Sequence, residues 1–137
     1  MGLKSFFGVL YARVVKQQNN WWIKNPIKSQ EKVFASLISQ ASETAFGKEH
    51  DFKHIRSYED FKSRVPVRDY EDLKIYVERK LEGEENILWP GRPLYFCKTS
   101  GTTSGTKYIP ISKESMPYHL KGAKDACLLY TSDAADD

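Results

Sequence analysis

The chain has little cysteine, few histidines and no long apolar run, and each shortage narrows what it can be. Its two cysteines, Cys97 and Cys127, are far apart and in no metal-ligand spacing, so a reduced, cytoplasmic protein is the expectation. No segment approaches the roughly 20 apolar residues of a membrane span, and no membrane partner is expected. The opening run from Leu3 to Val15 contains Lys4 and Arg13 and lacks a small-residue cleavage site, which makes it a poor signal peptide. Phe6 stands where a myristoylation signal needs Ser or Thr. The net charge of +3 comes from 21 basic and 18 acidic residues that are well mixed, and no basic face stands out to recruit nucleic acid. His50, His54 and His119 are the three histidines. His50 and His54 have the i, i+4 spacing of a helical metal pair, yet Gly47 and the irregular stretch after it weaken a helix there, and no third ligand clusters nearby. No metal site is expected. Asp51 and Asp69 lack a partner for paired-carboxylate chemistry, and no catalytic residue is assigned.

What is present is a chain long enough for one domain: 137 residues, 40% hydrophobic and 13% aromatic. Leu3, Phe6, Phe7, Leu10, Tyr11, Val14 and Val15 recur at helical spacing and predict a packed first helix. Trp21 and Trp22 are expected to anchor the turn into the next helix as core residues. That second helix should run from Ser29, its N-cap, to Ala45, with Val33, Phe34, Leu37, Ile38, Ala41 and Ala45 facing inward and Gly47 ending it. Ser57 and Asp60 mark a short helix that breaks before Pro66. Asp69 caps another, carrying Tyr70, Leu73, Tyr76, Val77 and Leu81 on its apolar side. Trp89-Pro90-Gly91-Arg92-Pro93 is a rigid turn. Ser115 with Pro117 predicts a last helix bearing Met116, Leu120, Ala123 and Cys127.

One stretch carries chemistry. Thr99-Ser100-Gly101-Thr102-Thr103-Ser104-Gly105-Thr106-Lys107 lies between two short predicted strands, Leu94–Cys97 and Tyr108–Ile111. Glycine lets successive backbone N–H groups turn toward one anion. Hydroxyls add donors, and lysine adds a mobile charge suited to phosphate oxygens. All nine residues, Thr99 through Lys107, are therefore candidate polyphosphate contacts. This is not a Walker A loop, which needs four residues between its glycines and then Gly-Lys-Ser/Thr. Here three residues separate Gly101 from Gly105, and Lys107 follows Thr106.

The order Thr-Ser-Gly-Thr-Thr, with lysine at the ninth position, resembles the phosphate loop of the adenylate-forming superfamily that includes luciferase and the acyl-CoA ligases. Within it, the stretch from Phe96 to Ile111 and the segment Thr44-Ala45-Phe46-Gly47-Lys48-Glu49-His50 look most like the auxin-responsive acyl-acid amido synthetases, including bacterial members. The common ligase loop has glycine where this chain has Ser104, with Gly105 one place later. Gly101, Thr102 and Thr103 align without a gap. The resemblance implies an α/β fold in which a helical N-terminal segment leads into a strand–phosphate loop–strand. It also implies that residues 1–127 are the first quarter of a longer enzyme. In such an enzyme ATP and Mg²⁺ are used to turn a small-molecule carboxylic acid into an acyl-adenylate, which an amine, usually an amino acid, then converts to an amide. The elements that bind adenine and ribose, hold Mg²⁺ and form a lid would lie in the missing C-terminal remainder, so the chain alone is expected to be inactive. Residues 131–137 are acidic and without apolar periodicity, and residues 128–137 are read as a non-native tail.

Two other readings stay open at this point. An acyl-CoA ligase of the same superfamily would use a thiol acceptor. A non-catalytic helical interaction module would use the Ser/Thr/Gly loop only as a turn.

Overall fold

The structure is a computed structural model that describes residues 3–100 and 105–133. It contains six α-helices, one 3₁₀ turn and a two-stranded sheet among those residues, and two compact units divide the chain: Phe34–Met116, and Met1–Val33 with Pro117–Asp137.

The unit Phe34–Met116 is built on the C-terminal half of α2, the helix Pro26–Ala41. Helix α3 (Ala45–Glu49) and a 3₁₀ turn at Phe52–His54 follow. Then come α4 (Tyr58–Arg64) and α5 (Tyr70–Leu81), and the strands β1 (Tyr95–Lys98) and β2 (Tyr108–Ile111). Ile38, Ala41, Phe52 and Ile55 form the buried centre, with Phe34, Phe46, Phe61, Val65 and Trp89 packed around it. The rings meet edge to face, Phe34 on Phe61 at 5.9 Å and Phe46 on Tyr76 at 5.2 Å, the arrangement that aromatic quadrupoles favour.

Caps decide where the helices begin. Ser57 Oγ accepts from Asp60 N while Asp60 Oδ2 accepts from Ser57 N, a complete capping box. Asp69 Oδ1 accepts from Asp72 N at 3.1 Å and starts α5. Both were legible in the sequence.

The second helix differs from the sequence expectation of Ser29 to Ala45 at both ends. It begins at Pro26, three residues before Ser29, and ends at Ala41. Proline suits a first helical turn, while Ser29 Oγ turns back to donate to Asn25 O at 2.8 Å. Ala45 belongs to a separate helix whose N-cap is Thr44, and that cap accepts from Gly47 N at 3.0 Å. Gly47 therefore lies inside α3 and stops nothing. A Cβ there would sit 2.9 Å from the Ala41 carbonyl carbon and closer still to its oxygen. Glycine is present because two backbones meet. The two leading amides of α3, Ala45 N and Phe46 N, donate to Asn86 O and Ile87 O at 2.8 and 3.0 Å, which satisfies orphan donors across a long sequence separation.

Lys80 is buried, and its ammonium donates to Trp89 O at 3.0 Å and Gly91 O at 2.6 Å. Burial pushes its pKa down. The lysine fixes the Trp89–Gly91 turn that delivers the chain to β1.

In the second unit, α1 runs Leu3–Lys24, well past Val15, because the polar run after Val15 contains no breaker and the stop comes at Asn25, which precedes Pro26. Trp21 and Trp22 sit within α1 and are 54% and 48% exposed, so they are not core residues. Trp22 Nε1 donates to Asn19 Oδ1 at 3.0 Å. Helix α6 spans Met116–Asp133, beginning directly after Ser115 as the sequence predicts. It continues past residue 127. Among the described residues no helix is long and apolar enough to cross a membrane.

Candidate functional site

Strands β1 and β2 pair antiparallel, with Tyr95 opposite Ile111 and Lys98 opposite Tyr108. The mixed fold is thus α-helical with one small hairpin. Its connecting loop is the Ser/Thr/Gly stretch. The loop is closed at its base twice over: Thr99 N donates to Lys107 O at 3.0 Å, and Lys107 N donates to Thr99 Oγ1 at 3.2 Å. The Thr99 hydroxyl spends an acceptor lone pair on this latch and keeps its own proton to donate.

Ser100 and Thr106 are exposed, and no described residue bonds their hydroxyls. Gly105 has φ of +79°, the left-handed region, which glycine enters at no steric cost. Gly101, Thr102, Thr103 and Ser104, which the sequence places at the loop's centre, lie outside the described residues.

Electrostatics favour an anion. From Leu94 to Ser112 the chain carries Lys98 and Lys107 and no Asp or Glu. Lys107 forms no ion pair with a described carboxylate. Its ammonium lies 5.3 Å from the centre of the Tyr70 ring instead. Tyr70 is the first residue of α5, and its hydroxyl accepts from Tyr108 N at 2.8 Å. The sequence reading gave Tyr70 only an apolar helical face, because a contact across 38 positions leaves no local signal. The donor set of hydroxyls, amides and lysine fits a polyphosphate. It offers Mg²⁺ no carboxylate, so a metal ion here would be held by phosphate oxygens and water.

A second polar cluster lies in the helical core and is saturated. His50 Nδ1 faces Phe46 O at 2.9 Å and Nε2 faces Arg68 Nη2 at 2.9 Å. A carbonyl can only accept and a guanidinium only donate, so the ring is neutral with its proton on Nδ1. Tyr76 Oη donates to Glu49 Oε2 at 2.6 Å and accepts from Arg68 Nη1 at 3.3 Å. Burial, then Glu49 beside it, raise the Tyr76 pKa. His54 instead meets Asp51 Oδ1 at 2.6 Å. Helix α3 ends at Glu49, and Asp51 has φ of 52°. The two histidines therefore share no helix face.

A hollow of about 340 Å³ opens between α2 and the 3₁₀ turn, floored by Phe34, Ile38, Phe52 and Ile55. Of its two rim cations, Lys53 is already paired with Glu43 at 2.7 Å, and it lines no part of the hairpin.

Comparison with known proteins came to the same family as the loop and the Thr44–His50 segment. A family model for the GH3 family N-terminal domain matches residues 16–135. Indole-3-acetic acid-amido synthetase GH3.4 of Arabidopsis thaliana is 35% identical over 95 residues, which cover 68% of this chain and 16% of the relative. Indole-3-acetic acid-amido synthetase GH3.2 of the same plant is 34% identical, with 68% and 17% covered. Probable indole-3-acetic acid-amido synthetase GH3.13 of Oryza sativa subsp. japonica is 41% identical over 58 residues, covering 41% of this chain and 12% of the relative. The matched part thus spans about one sixth of the length of the first two relatives.

Proposed function

This chain belongs to the GH3 family through its N-terminal domain, and on that premise we propose that it is the phosphate-holding beginning of an ATP-dependent acyl-acid amido synthetase. The observation that carries the reading is the hairpin: a loop latched at its base by Thr99 and Lys107, with Gly105 at φ of +79° and no acidic residue on either strand.

In the proposed reaction a carboxylate oxygen attacks the α-phosphorus of ATP, pyrophosphate leaves, and an amine then displaces AMP from the acyl-adenylate to form the amide. Mg²⁺ bound to the phosphates would supply charge neutralisation. The loop's share is electrostatic and positional. Ser100, Gly101, Thr102 and Thr103 would donate to the β- and γ-phosphate oxygens through backbone N–H and hydroxyl groups, with Ser104, Gly105, Thr106 and Lys107 beside them. Lys107 would bring its positive charge to the leaving pyrophosphate. Adenine, ribose, acyl and amine recognition would belong to the rest of the enzyme.

ATP–pyrophosphate exchange on the complete enzyme tests the proposal. Exchange should require a carboxylic acid and yield an amide once an amine is added. Thr102→Ala and Lys107→Met should each slow it about 100-fold or more, the usual cost of one lost transition-state donor. The 137-residue chain should give no turnover. Transfer to a thiol in place of an amine, or exchange indifferent to Lys107, overturns the reading.

A further inference from the structure

We propose that Tyr70 is a positioning residue for Lys107, holding the loop lysine's ammonium in place for polyphosphate oxygens; the inference rests on the phosphate-loop reading above. Tyr70 touches the hairpin at two adjacent residues. Its hydroxyl accepts from Tyr108 N at 2.8 Å, and its ring lies 5.3 Å below the Lys107 ammonium. The first contact fixes the strand entrance, and the second fixes the side chain that leaves it. Tyr70 is itself rigidly placed, since it opens α5 one residue after the Asp69 cap.

The choice of an aromatic partner has a physical consequence. A carboxylate beside Lys107 would take up its N–H donors and cancel its charge, so phosphate would have to compete for both. A ring attracts the cation through its quadrupole and accepts no strong hydrogen bond, leaving the donors for the ligand. Two of the carboxylates close by in the chain are committed elsewhere. Asp69 accepts from Asp72 N at 3.1 Å, and Glu71 lies 3.8 Å from Lys74 Nζ. The Lys107 charge is therefore held without being neutralised.

The test uses the 137-residue chain and magnesium pyrophosphate, which probes the loop without needing an adenine pocket. Titration calorimetry would compare wild type with Tyr70→Leu, Tyr70→Phe, Lys107→Met and the double variant Tyr70→Leu/Lys107→Met. Lys107→Met should weaken binding about 10-fold and Tyr70→Leu about 5-fold, with Tyr70→Phe in between because it keeps the ring. The double variant should bind no worse than Lys107→Met alone, since Tyr70 acts through the lysine. Tyr70→Leu binding like wild type overturns the inference. So does an equal loss in the Lys107→Met background, which would make Tyr70 a mere support for the hairpin. No pyrophosphate binding by wild type overturns the phosphate-loop reading itself. A second readout needs no ligand: the ε-methylene protons of Lys107 should show an upfield ring-current shift in wild type and Tyr70→Phe that Tyr70→Leu loses. Its absence from wild type overturns the pairing directly.

Discussion

In the helical body from Phe34 to Gly91, several polar side chains are turned back on the chain itself, whereas among the described residues of the hairpin Ser100 and Thr106 leave theirs to the solvent. Thr44 caps a helix, His50 uses both ring nitrogens, Tyr76 both donates and accepts, and Lys80 closes a turn. In the hairpin, Ser100 and Thr106 keep their hydroxyls unbonded by described residues, and Lys107 faces a ring where a carboxylate could have stood. A region that spends its hydrogen bonds internally gains order, since buried polar groups are costly unless satisfied. A region that withholds them has donors to offer a ligand. The body holds the fold together, and the hairpin is where we propose that binding occurs.

Two glycines give the contrast its sharpest test. Gly47 is required by space, because an added methyl would strike the Ala41 carbonyl and approach Ser42 Cα to 3.1 Å. Both obstacles are backbone and cannot swing aside. Gly47→Ala should cost on the order of 3 kcal/mol, as overpacking does where nothing can yield, and urea denaturation would read it as a lower midpoint. An unchanged midpoint would mean that α3 and the end of α2 do not meet as closely as the body requires.

Among the described residues Gly105 is required by its backbone angle alone, φ of +79° with no described atom within 4 Å of an added Cβ. Gly105→Ala should therefore cost only about 1 kcal/mol of stability. Its larger effect should appear in pyrophosphate titration, with affinity falling about 5-fold as the strained loop re-aims its N–H groups. If Gly105→Ala unfolds the chain while leaving binding intact, the division between an ordering body and a binding hairpin is wrong.

The sequence disclosed what is local. Ser57 with Asp60, Asp69 before an apolar period, and strands around a Ser/Thr/Gly run each declare themselves within a few residues, and the caps and hairpin are where the residues say. It failed where distant segments decide. The second helix was drawn through to Ala45 because its apolar period continues, yet Thr44 interrupts it and the new helix is held by carbonyls of Asn86 and Ile87. Gly47 looked like a stop signal because close backbone approach is invisible in one dimension. Trp21 and Trp22 were placed in the core on hydrophobicity alone, and they are half exposed on a helix that no breaker ends before Pro26. The candidate site divides the same way: its loop could be read directly, but Tyr70, 38 positions from its partner, could not.

The smallest expected effect separates the regions by charge. Asp60, Asp51, Glu43 and Glu84 all belong to the body, and all have pKa values below the ordinary carboxylate range. From Leu94 to Ser112 there is no carboxylate to titrate. For Asp60 the main cause is the backbone N–H of Arg56, which donates to its carboxylate at 2.9 Å, followed by the Ser57 cap. With its folded pKa depressed below 3.8, acidification protonates the unfolded chain first. Asp60's contribution is thus complete above that value and disappears as pH falls through the folded pKa. Asp60→Asn should melt slightly below wild type at neutral pH, and the two melting curves should converge only in acid, as pH falls below 3.8 and through the depressed folded pKa. The side chain is exposed, so solvent screening keeps the difference small. A constant gap down to acid pH would show that Asp60 stabilises α4 by shape alone. Convergence would show that the body's caps are ionic, which a hairpin without carboxylates cannot reproduce.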